Sequence, residues 1–281
     1  MLDERSVIWR YAGDVRSLLL LGRAFLLQVM HPTIGAGVGA HSTFRSDPFG
    51  RLQRSWWLVL RSIYGPEGER VGRGVREAHR HIRGIDRHGR RYHAYEPEAY
   101  WWVVATGFDS LVAFSRLFFP PLSPDEERVL YGEARELGRR FGVRDASMPQ
   151  TLDAFRHWYA SILDTRLEYN PTVGELLETL SRPAPPQWFP RPLWPPLQAV
   201  AGRVMWLTTL GRAPWQAREL LGIDWNLVHE AQLRALSQSL RPVDAMPARV
   251  RYLPPARDAF ARAARSPSPE VGAVESGLGD T

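Results

Sequence analysis

The stretch EAYWWVVATGFDSLVAFSRLF, running from Glu98 to Phe118, decides the fold class. Projected at about 100° per residue, Trp101, Val104, Phe108, Leu111 and Val112 fall on one stripe, with Val104 near its centre and Ser115 interrupting it a turn later. That is the pattern of a helix packed into a core. The same period recurs along nearly the whole chain, and no sustained alternation of period two marks a strand. The spacing predicts an all-α fold, a single large helical domain of about ten helices. They are expected over residues 14–30, 48–64, 68–85, 98–118, 124–141, 149–164, 173–180, 197–211, 215–221, 225–240 and 255–264. Some starts carry explicit signals: Ser123-Pro124-Asp125-Glu126 puts a capping serine before proline at the first helical position and glutamate at the third.

The 281 residues, 44% hydrophobic and 11% aromatic, are enough to bury a substantial core. There is no cysteine, which excludes disulfides, cysteine zinc sites, iron–sulfur clusters, thiolate-ligated haem and a cysteine nucleophile. All 36 basic residues are arginine, so lysine Schiff-base chemistry and a P-loop lysine are excluded as well. The formal charge of +6 invites a nucleic-acid reading, but the arginines are interleaved with 30 acids instead of forming a stripe, and no nucleic-acid partner is expected.

Two stretches stand apart in composition. Residues 181–196 hold seven prolines together with Trp188, Phe189 and Trp194, and read as an extended crossover packed on the domain surface. Residues 266–281 are Ser, Pro, Gly and acid with little to bury, and read as a disordered tail after a domain spanning 1–265. The opening residues include Asp3 and Glu4 and no secretory pattern. The longest apolar run, 18–30, is broken by Arg23 and Gln28 and is too short to span a bilayer. A cytoplasmic protein is expected, with peripheral membrane contact left open.

Polar residues in apolar surroundings are the candidates for chemistry. In 48–64 the apolar set is Leu52, Trp56, Val59, Leu60 and Ile63; Ser55 lies at its edge, Arg51 a little further out, and Arg54 points away. In 68–85, His79 flanks the face of Val71, Val75 and Ile82, whereas His81 lies on another face. A lone inward histidine is either a hydrogen-bonded core residue or a ligand. The richest cluster is His31-Pro32, then the small residues 35–40, then His41 to Pro48, which includes Arg45 and Asp47. Small residues let backbone approach another helix or a flat cofactor closely, and Asp47 before Pro48 reads as a helix cap.

The run Leu26-Leu27-Gln28-Val29-Met30-His31-Pro32, with Gly37-Val38, His41-Ser42, Phe44-Arg45, Asp47-Pro48 and Gly50-Arg51-Leu52, resembles the MpaB-like, rubber oxygenase (latex-clearing protein) catalytic domain family. So do Tyr64-Gly65, His79-x-x-Ile82-x-Gly84, Glu96-Pro97-Glu98, Trp102-Val103-x-Ala105-Thr106 and Trp206-Leu207-Thr208 further on. The resemblance implies an all-α fold with a globin-like core and a b-type haem used with dioxygen to oxidise an apolar substrate of isoprenoid or lipid character. It implies His79 as the metal ligand. Arg51-Leu52-Gln53-Arg54-Ser55 matches the family's Arg-x-x-Lys/Arg-Thr pocket element with serine in place of threonine, and Thr106 matches a pocket threonine. On that reading Arg51, Arg45, His31, Val104 and Thr106 line the cofactor, and His41, Arg54 and Ser55 act on the dioxygen side.

One position departs from the pattern. Many relatives carry a histidine just before the Ala-Thr pair, where this chain has Val104, which cannot bond iron or relay a proton. Two functions follow: a haem-dependent oxygenase or oxidoreductase, or a haem-free, non-catalytic relative that holds an apolar ligand or a partner.

Overall fold

The computed structural model describes residues 2–41, 48–185 and 189–265. Among them are fourteen α-helices and one small hairpin, so the fold is all-α. The centre is helix α6, Pro97–Phe118. Its expected stripe is buried, and so is its other side, with Trp102, Ala105, Thr106 and Ser110, because neighbours cover it from two directions. Helix α2, Leu21–Met30, lies on one side and α7, Pro124–Arg140, on the other. The indole of Trp102 donates to the Leu27 carbonyl at 2.8 Å and stacks on Tyr159 of α8, Leu152–Thr165, with ring centres 4.9 Å apart. Trp101, Phe108, Tyr131 and Phe155 complete an edge-to-face aromatic cluster between α6, α7 and α8.

Where local signals are strong, the elements form as expected. Helix α4 is Pro48–Tyr64, and α7 opens with the complete capping box of Ser123 and Glu126. Three differences have physical reasons. The stretch 68–85 is helical only over α5, Gly68–Ala78; Arg83–Ile85 (β1) then pairs antiparallel with Arg91–His93 (β2). Strands of three residues are too short to show a period. Asp86 makes the turn: its carboxylate accepts from the His88 and Arg90 amides at 2.9 and 2.8 Å, and Gly89 takes the positive φ of 77° that closes it. The start of 14–30 is a 3-10 turn, Val15–Leu20, ahead of α2, and a short helix α1, Val7–Ala12, precedes it.

The third difference is the small-residue run, which is a helix, α3, Pro32–His41. A side chain at Gly35 would lie 2.5 Å from the Val29 carbonyl and 2.6 Å from the Asn170 amide. Thr172, on α9 (Pro171–Ser181), donates to the Gly35 carbonyl at 2.9 Å, and a Cβ at Gly39 would lie 2.7 Å from its hydroxyl. At Gly35 and Gly39, then, the small residues serve a close helix crossing. No single helix among the described residues is long and apolar enough to cross a membrane.

The two ends of the described chain are tied together. Fully buried Asp14 accepts from the Arg16 amide at 3.0 Å, from its guanidinium at 2.9 and 2.8 Å, and from Arg251 at 3.3 Å. Asp244 adds a second carboxylate to Arg16 at 2.7 Å. Helices α13, Ala248–Arg251, and α14, Pro254–Ala263, follow, and Phe260 of α14 meets the rings of Trp9 and Tyr64.

Candidate functional site

Although α6 is otherwise the most enclosed helix, Val103 at its middle is 40% exposed. One turn on, no described atom lies within 4 Å of where a Cβ at Gly107 would stand. The strip between them borders α2, where Gln28 donates to the Thr106 hydroxyl at 3.1 Å and Thr106 donates to the Val103 carbonyl at 2.9 Å. One turn back on the same face of α2 is Phe25, and over its ring, 5.0 Å from the centroid, sits the guanidinium of Arg51 from α4. α2 therefore carries Arg51 of α4, over Phe25, and Thr106 of α6, on Gln28, one turn apart on a single strip of its surface.

Arg51 is the electrostatic anomaly of this strip. It is half-buried, and among the described residues it has no hydrogen-bond acceptor and no carboxylate partner. Burial, and then the neighbouring charge of Arg54, push its pKa below the ordinary arginine value. An unmatched cation in such a place is stabilised by an anionic ligand.

The helices α4 and α5 are joined by only Gly65, Pro66 and Glu67 and pack on each other, so His79 and Arg54 lie about equally far from the turn. His79 caps α5, is half-buried, and its Nδ1 lies 2.7 Å from the Val75 carbonyl. That bond assigns the proton to Nδ1 and leaves Nε2 as the lone-pair nitrogen. His157 makes the same bond at the surface, so the bond alone does not mark a ligand; what sets His79 apart is that it is half-buried. His81 is exposed.

The remaining expected residues are distributed as follows. Arg54 and Ser55 are exposed on α4. His41, exposed at the end of α3, lies with Nε2 3.2 Å from the Tyr92 hydroxyl on β2. Val104 is 7% exposed and packs in the main core. Arg45 and the Asp47 cap lie outside the described residues, as do Trp188 and residues 266–281. Sequence reasoning missed Phe25, Gln28, Glu98 and Tyr92 as neighbours of these residues. For Gln28 a signal existed: it is a polar residue inside an apolar run.

His31 is only 2% exposed, and its Nε2 lies 3.4 Å from Glu98, itself paired with Arg166 at 3.0 Å. Its Nδ1 is buried without a partner among the described residues. Burial lowers its pKa, against the raising influence of Glu98. The unfolded chain, with an ordinary imidazole near ~6.5, therefore binds the proton first as pH falls. Stability is fully present above that value and is lost as pH drops toward the folded pKa. Melting temperatures between pH 7 and pH 5 are expected to fall less steeply for His31→Gln than for the native chain.

Comparison with known proteins gives the family. Residues 9–242 match the model of the family described as ER-bound oxygenase mpaB/B′/rubber oxygenase, catalytic domain. The chain belongs to this family. The match spans α2, the α4–α5 hairpin and α6, and stops before α13 and α14. Two relatives, uncharacterised proteins of Mycobacterium bovis and Mycobacterium tuberculosis, are each 24% identical over 235 residues, covering 82% of this chain and 89% of theirs. No solved structure matches significantly. An oxygenase-type function is thus supported at the level of the family. Among the described residues no group of three or more histidines, aspartates or glutamates is placed to hold a metal ion.

Proposed function

We propose that this chain is a haem b-dependent oxygenase acting with dioxygen on an apolar substrate of isoprenoid or lipid character. The observation that carries the reading is Arg51, a half-buried guanidinium over Phe25 without a counter-charge among the described residues, beside an open strip of the central helix. The donor set suits a haem: Arg51, whose N–H groups meet no acceptor among the described residues, would bond a propionate, and His79, with its Nδ1 engaged by a carbonyl, would offer Nε2 to iron. When bound, haem supplies the redox-active iron at which dioxygen is used.

The protein's own part is binding and exclusion. Arg51 anchors the anionic edge, with Arg45 in the same role. Val103 and Gly107 offer apolar or empty lining, and Thr106 is held by Gln28 so that its hydroxyl is fixed. His31, kept neutral by burial, steadies Glu98 at the start of α6. Arg54, Ser55 and His41 are the polar groups assigned to the dioxygen side. Titrating the purified chain with haem tests the reading: a saturable Soret band and dioxygen uptake with isoprenoid oligomers are expected, and absence of any Soret complex at micromolar haem would overturn it.

One observation favours a second reading. Val104 is packed as an ordinary core residue at the position where the family resemblance implies a histidine in many members. A haem-free protein that nevertheless binds an apolar fluorescent probe at the Val103–Gly107 strip would make the chain a non-catalytic ligand-binding relative.

A further inference from the structure

The exposed apolar residues are not scattered evenly. Leu193, Leu197 and Val200 are 60%, 44% and 62% exposed, and Leu197 and Val200 share one face at the start of helix α10, Pro195–Leu210, which follows the turn Arg191–Leu193. Beside them is a groove of about 620 Å³ lined by Pro185, Phe189, Arg191, Trp194 and Gln198 among others. Trp194 is held there: its indole donates to the Pro183 carbonyl at 2.8 Å, and Phe189 packs edge-on against it.

The segment that carries this face is basic in sequence. Between Glu178 and Glu219 the chain has five arginines and no acid. Arg182 and Arg191 are exposed and form no ion pair among the described residues, and Arg203 lies over Trp206 and bonds the neutral Gln232. An apolar stripe, an anchored Trp–Phe pair and unpaired arginines are the combination that suits a bilayer interface: aromatic rings settle at headgroup depth, and arginines keep their guanidiniums at the phosphates while their stems cover apolar surface.

We propose that the Arg191–Val200 face docks this protein onto an anionic lipid bilayer. A second copy of the chain is the poorer occupant, because a two-fold contact would set Arg182, Arg191 and Arg203 against their own counterparts. The stripe lies on helices other than α2, α4 and α6, and docking requires no haem, so it stands or falls independently of the proposed oxygenase activity.

The test is flotation of the full chain with phosphatidylcholine vesicles, with and without about a third of phosphatidylglycerol. Binding to the anionic vesicles is expected, at about fivefold per arginine engaged over neutral ones. Raising the salt from ~0.1 M to ~1 M, which shortens the screening length from ~10 Å to ~3 Å, should release most of it. Leu193→Glu with Val200→Glu should abolish binding while leaving the melting temperature and circular dichroism unchanged, as both side chains are mostly exposed. Leu227→Glu, at a position 87% exposed on another helix, should bind like the native chain. Failure to float with anionic vesicles, or equal flotation of the double variant, overturns the proposal. So does a native dimer that the double variant dissolves, since a second copy would then own the face.

Discussion

His79→Ala is expected to lose the Soret complex that the native chain forms on haem titration, while His81→Ala keeps it. The two residues are neighbours in sequence, yet one is half-buried at the end of α5 and the other is exposed. If His79 is the axial ligand, alanine removes the protein's bond to iron, and the affinity falls by orders of magnitude. Arg51→Ala should act differently: the iron bond stays, but one propionate contact goes, weakening haem about 10–100-fold at the roughly 1.5–3 kcal/mol of a charge-assisted bond. Without haem the same variant should be as stable as the native chain or more so, because it relieves an unmatched charge. Retention of the native spectrum in His79→Ala would remove His79 from the metal role and leave Val104's neighbourhood to be re-examined.

Asp14→Ala should lower the melting temperature more than any surface change. The aspartate is fully buried, and its loss strips Arg16, which is also buried, of two direct contacts and Arg251 of one. Breaking a buried ion pair from one side costs about 3–5 kcal/mol, which for a chain of this size corresponds to roughly 6–20 °C. Asp244 remains at 2.7 Å from Arg16 and keeps the loss toward the lower half of that range. Asp14→Asn, which retains one acceptor, should sit between the two. A drop of less than a degree in scanning calorimetry would show that water replaces the carboxylate and that the network contributes little.

Long, strongly periodic helices were legible in the sequence because burial itself writes the period: Pro48–Tyr64 has the expected ends, and the Trp101–Val112 stripe of α6 is buried as projected. The helix Pro32–His41 was not. Its glycines have low intrinsic helix propensity, and the helix is chosen by its fit to Asn170 and Thr172, residues of a distant segment. The candidate site was half legible for the same reason. Arg51 and His79 can be picked out singly by type and phase, and Thr106 through the family resemblance, but the surface that joins Arg51 to Thr106 is Phe25 and Gln28, and no local pattern pairs an arginine with a phenylalanine ring on another helix. Arg23 teaches the same lesson. It interrupts an apolar run, yet it is buried against Asp109 and Ser110 of α6, a pairing that only the assembled fold reveals.

The Asp14–Arg251 contact spans 237 residues, and this separation governs when the molecule can finish folding. Synthesis at about 5–20 residues per second needs roughly 12–50 s between the two partners leaving the ribosome. Throughout that interval Asp14 has no Arg251, Trp9 has no Phe260, and the inner face of α1 lacks its final cover. The amino-terminal helices must therefore persist as an incomplete assembly with aromatic surface open, the condition in which aggregation competes with folding and chaperone capture is favoured. A contact order of this kind makes closure the slow step, so the yield of folded protein should respond to translation speed and chaperone level more than to substitutions inside the central helix pair.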